Sequence, residues 1–126
     1  DDGTTFISQL PEECRRYEKA EDCNFTLSNN FYKSFFSGLP KTYKAKNYSK
    51  IPKDLPLLLI AGDGDPVGGY GKLMEKLYRF YKEKVGVKSV KKVIYQKVRH
   101  EYLNDTSREA VKKEIADFAE SIKKRV

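Results

Sequence analysis

The chain has 126 residues, 39% of them hydrophobic and 34% charged, with a formal net charge of +7 and two cysteines. That length holds one ordinary domain, and no apolar run approaches the ~20 residues of a membrane-spanning helix. Two cysteines exclude a disulfide scaffold, and Cys14, Cys23 and His100 cannot build a four-ligand zinc site without carboxylates.

An aromatic content of 13% and periodic apolar runs argue against disorder. Asp1-Asp2-Gly3-Thr4-Thr5 shows neither a basic nor an apolar leader region. Pro11–Ala20 reads as a short helix, with proline and glutamates at its start. Phe31, Phe35 and Leu39 recur at i, i+4 and i+8, the spacing of one helix face, and Gly38 and Pro40 are expected to stop it. Lys41–Asp54 is polar and reads as loop.

The texture changes at Leu55. Leu55-Pro56-Leu57-Leu58-Leu59-Ile60-Ala61 is nearly continuous apolar sequence and ends in Gly62-Asp63-Gly64-Asp65-Pro66. This pattern fits a strand buried on both faces, as in a parallel sheet. Leu73, Leu77, Phe80 or Tyr81, and Val85 then keep a helical period, and Gly86 stops it. Val90–Val98 reads as a second strand, its lysines suiting an edge. Thr106-Ser107-Arg108-Glu109 matches a capping box. Val111, Ile115, Phe118 and Ile122 follow as an amphipathic helix. The order strand–helix–strand–helix implies a parallel α/β unit. Two strands alone are too few for a stable sheet. The expectation is a part of a larger α/β structure, completed by an N-terminal part, a second chain or a self-associated copy.

Charge is uneven. Residues 1–50 carry 8 Lys/Arg against 7 Asp/Glu, and residues 51–126 carry 17 against 11. Lys72, Lys76, Lys82, Lys84 and Lys88 fit a solvated helix face. No recognisable nucleic-acid-binding pattern accompanies the charge, so no nucleic-acid partner is expected.

The chemistry-bearing residues gather after the two strands. His100, the single histidine, follows the second strand, and Asp63 and Asp65 follow the first. Open parallel sheets collect functional groups at the C-terminal ends of their strands. A carboxylate beside a histidine orients its ring and stabilises the imidazolium, which lets the ring act as a base for a serine. The Gly62–Pro66 loop fails as a dinucleotide loop, lacking the third glycine. It fails as a calcium loop, lacking the third oxygen ligand and the later glutamate. No cofactor and no metal is expected.

From about residue 50 to 122 the chain resembles the C-terminal part of α/β-hydrolase-fold serine hydrolases. The similar branch is that of lysophospholipases, monoacylglycerol lipases and serine aminopeptidases. The carrying motifs are Leu57–Gly68, Val98-Arg99-His100-Glu101 and the closing helix. The resemblance implies Asp65 as triad acid and His100 as base, in the family order Ser, Asp, His. Asp63 then shapes the loop by accepting backbone N–H bonds. Residues 1–50 resemble the family's helical cap, and residues 51–126 its C-terminal core. In that frame Phe31, Tyr32, Phe35 and Phe36 are candidates to line an acyl pocket or touch a lipid surface, the alternative being ordinary core packing, and Val67 is a further substrate-binding candidate. The implied substrate is a lipid-like carboxylic ester.

The family also needs a serine in a Gly-x-Ser-x-Gly elbow. None of the serines of this chain has glycines two residues before and two after. The chain alone is therefore expected to be inactive. The alternative is a non-enzymatic basic α/β interaction module. Asn24-Phe25-Thr26, Asn47-Tyr48-Ser49 and Asn104-Asp105-Thr106 match the glycosylation sequon, but no secretory route is displayed. The expected location is cytoplasmic.

Overall fold

The computed structural model describes residues 5–23 and 25–123. Asp1–Thr4, on which the leader reading mostly rests, and Asn24 of the first sequon lie outside them. Helix α1 (Pro11–Lys19) starts on its proline, carries Glu12 and Glu13 in the first turn and Arg16 and Lys19 in the last. Those charges complement the helix dipole. Helix α2 (Asn29–Thr42) is capped by Ser28, whose Oγ accepts the Phe31 N–H at 3.2 Å.

Helix α2 does not stop at Gly38, as its sequence predicts, but runs through Pro40. A proline lacks the N–H that would bond the carbonyl four residues back. Here the cost falls on Phe36, which is 62% exposed, so water can serve its carbonyl. The expected loop after Lys41 contains a one-turn helix, α3 (Ala45–Tyr48). Tyr43 and Tyr48 explain it: both pack edge-on against Phe80, at 5.1 and 5.3 Å between ring centroids.

Strands β1 (Leu57–Gly62) and β2 (Val90–Tyr95) pair in parallel, Leu57 opposite Val90 and Gly62 opposite Tyr95. β1 begins after Pro56, at the first residue that can donate, and the Leu57 N–H bonds Ser89 O at 2.9 Å. Among the described residues these two strands make the whole sheet. β1 therefore has one open edge, and Leu57–Ile60 are only partly buried. β2 ends at Tyr95, short of the expected Val98, because Lys97 turns into the left-handed region at φ 61°.

Helix α4 (Lys72–Arg79) joins the strands and continues as a wide π turn over Phe80–Val85. Gly86, at φ 79°, ends it as expected. Lys92 of β2 pairs with Glu75 of α4 and lies 4.9 Å over the Tyr78 ring. Tyr95, three residues on and so on the other face, donates its hydroxyl to Ala110 O at 3.3 Å. Ala110 belongs to α5 (Arg108–Lys123). The sheet thus lies between α4 and α5.

The capping box does not form as read. Thr106 Oγ1 accepts from Gln9 Nε2 at 2.9 Å, and the Asp105 carbonyl accepts the Arg108 N–H at 3.0 Å. The core is small: Ile7, Cys14, Val85, Val87, Val98 and Val111 are buried. Cys14 and Cys23 are free thiols. Ile7 and Ser8 come from the stretch read as cap, yet they pack against residues 99–105. The His100 N–H bonds Phe6 O at 3.1 Å and the Glu101 N–H bonds Ile7 O at 2.8 Å.

Candidate active site

The site forms where two strand ends are pressed together. A Cβ on Gly62 would stand 1.9 Å from Val98 O, and one on Gly64 would stand 2.9 Å from Lys97 O. Only glycine lets the 97–98 backbone approach so closely. Hydrogen bonds then lock the approach. The Asp63 N–H bonds Tyr95 O at 3.0 Å, the Gly64 N–H bonds Val98 O at 2.9 Å, and Asp63 Oδ1 accepts the Lys97 N–H at 2.5 Å.

Asp65 follows this clamp. Its side chain is largely buried, and Oδ1 accepts the Val67 N–H at 2.8 Å, closing a local turn. Oδ2 lies 3.2 Å from His100 Nδ1. With the proton on Nδ1, the imidazole donates to Asp65 and leaves Nε2 as its free basic atom. The His100 side chain is 42% exposed, and the Phe6 ring stands 5.9 Å from it.

A cavity of about 570 Å³ opens beside the pair. Asp65, Lys76, His100 and Tyr102 are among its polar lining, and Ile60, Leu77 and Phe80 among its apolar lining. Val67 lines the same cavity. The other four pocket candidates, Phe31, Tyr32, Phe35 and Phe36, do not line it. Phe31 and Phe35 stack on each other at 5.8 Å along α2, and Phe36 is 62% exposed. Phe31 and Phe35 line a separate groove on α2. The i, i+4 spacing that suggested a shared face is satisfied within the helix itself.

Two features escaped sequence reasoning. Tyr43 and Phe80 line the cavity although neither lies near the motifs. Asp105, inside a sequon and before a helix, is 2% exposed and accepts three backbone N–H bonds. An acidic residue just before a helix was the available signal, and it reads as an ordinary cap. Among the described residues no group of three or more His, Cys, Asp or Glu side chains is placed to hold a metal ion. No helix among them is long and apolar enough to cross a membrane.

A parallel β–α–β unit with flanking helices matches part of an α/β-hydrolase fold. The family model described as serine aminopeptidase, S33, matches residues 1–107, and the chain belongs to this family. Among solved structures it is similar to a highly thermostable carboxyl esterase from Bacillus coagulans, crystallised in complex with glycerol. The TM-score is 0.80 at 29% identity, over 94% of this chain and 38% of the esterase chain. The chain thus spans well under half the length of that esterase. No curated protein matches it.

Proposed function

We propose that this chain supplies the acid and the base of a serine hydrolase that cleaves lipid-like carboxylic esters, of the lysophospholipase or monoacylglycerol lipase type. The nucleophilic serine comes from outside these residues. The observation that carries the reading is the 3.2 Å contact between Asp65 Oδ2 and His100 Nδ1, both of which line a largely apolar cavity. Asp65 orients His100 and stabilises its cationic form. His100 Nε2 takes the serine proton as the oxygen attacks the ester carbonyl, then returns it to the leaving alcohol. Water repeats the cycle on the acyl-enzyme, with His100 again as base.

A largely apolar cavity lined in part by an acid–base pair suits an acyl chain bearing a polar head. Val67 contacts the acyl part near the ester. Helices α2 and α3 belong to a cap over the site, and the open edge of β1 accepts the next strand of the complete sheet. A non-enzymatic basic module has no feature as specific as the Asp65–His100 pair to support it.

The test is turnover by the intact protein on p-nitrophenyl esters of graded acyl length, a lysophospholipid and an aminoacyl p-nitroanilide. Esters with longer acyl chains are expected to be preferred. His100→Ala and Asp65→Asn each lower kcat on the order of 10³-fold or more. Unchanged ester turnover in both variants refutes the assignment. Preference for the anilide moves the substrate class to amides.

A further inference from the structure

We infer that Asp105 is a positioning residue for His100, acting through the backbone of the loop that carries the imidazole. The inference rests on the acid–base reading proposed above. Asp105 is 2% exposed, yet it is a carboxylate. Its Oδ2 accepts the Arg99 N–H at 2.7 Å, and its Oδ1 accepts the N–H groups of Thr106 at 2.7 Å and Gln9 at 3.1 Å. All three partners are backbone donors, so the group must be acceptor-only. A carboxylate meets that demand and an amide does not.

The donors lie at different distances along the chain: Thr106 is the next residue, Arg99 is six residues back, and Gln9 is 96 residues away. Arg99 immediately precedes His100, Gln9 ends the stretch that bonds the His100 and Glu101 amides through Phe6 O and Ile7 O, and Thr106 leads into α5. The guanidinium of Arg99 is engaged elsewhere, on the carbonyls of Thr5 and Ser8. Ser8 Oγ closes the arrangement by donating to Asn104 O at 2.7 Å. The imidazole itself is half exposed and has one side-chain hydrogen bond, to Asp65. Side-chain packing therefore does little to hold His100. Its backbone sets its place, and Asp105 is where the start of that backbone, at Arg99, is tied to the distant segment at Gln9.

Asp105→Asn turns an NH₂ group toward one of the three N–H donors and breaks that bond. In the intact protein, with p-nitrophenyl butyrate as probe, kcat is expected to fall about 10- to 100-fold, the effect of a small misplacement of a reacting group. KM should stay within about two-fold, since the cavity lining is untouched. Val111→Ala is the control: Val111 is fully buried in α5 and away from the cavity, so the variant should lose melting temperature without losing kcat. If Asp105→Asn keeps its kcat, or if both variants lose kcat alike, the positioning role is overturned. Failure of the underlying reading looks different, because His100→Ala and Asp65→Asn would then themselves keep their turnover. Amide exchange in the unsubstituted protein covers the case in which Asp105→Asn does not fold. The Arg99 N–H is expected to exchange as slowly as that of Val111, and rapid exchange at Arg99 overturns the inference.

Discussion

Gly62 and Gly64 hold two strand ends together by having no side chain. A methyl group at Gly62 would meet the Val98 carbonyl at 1.9 Å, and backbone cannot move aside as a side-chain tip can. Gly62→Ala should cost about 3 kcal/mol or more, at the upper end for overpacking, and denaturant unfolding of the intact protein measures it. Gly68 offers a milder probe. Its added methyl would lie 3.0 Å from Asp65 Oδ2, so Gly68→Ala should disturb the Asp65–His100 contact more than the fold. Turnover falling while melting temperature holds is the expected result.

At the scale of elements, Phe80 explains why a polar, lysine-rich stretch is ordered at all. The Tyr43 and Tyr48 rings meet it edge-on, a favoured aromatic geometry. Two such pairs are worth about 1–3 kcal/mol together. Phe80→Ala should free the segment around α3, and trypsin should then cleave faster at Lys44, Lys46 and Lys50. An unchanged cleavage pattern would show that α3 is held by something else. Helix α5 illustrates the opposite case. Val111 is fully buried, but Ile115, on the same predicted stripe, is 40% exposed. Phe118 and Ile122 further along are half-buried, so the stripe is covered unevenly along its length.

For the whole molecule, the ion pairs set an acid limit. Arg16, and with it Arg108, holds the Glu13 carboxyl below its usual 4.5, and Lys92 with Arg79 does the same to Glu75. Glu13 ties α1 to α5, and Glu75 ties α4 to β2. A lowered folded-state value means stability that is fully present above about 4.5 and lost as pH falls through the lowered values. Circular dichroism melts between pH 6 and pH 3, a range of about three units around the carboxyl values, should show melting temperature falling below pH ~4.5. Removing the pair with Glu75→Gln should flatten that fall. The same scale explains the thin core, because a two-stranded sheet covered on both faces has little interior to fill.

The order of elements from β1 onward, the parallel pairing, the glycine stop at Gly86 and the candidacy of Asp65 and His100 were legible in the sequence. Each depends on local chemistry: an apolar run, a turn cluster, a helical period, a single imidazole. Asp105 and the Phe80 cluster were not legible, because their meaning lies in partners far along the chain. Gln9 and Asp105 are 96 residues apart, and hydrogen bonds between such distant segments leave no periodic trace. The aromatics of α2 show the same limit: spacing specifies which residues share a helix face, but not what that face meets. Only the tertiary structure set the 3.2 Å between Asp65 and His100, since closing that distance requires two backbones to meet at glycines that no side chain props apart.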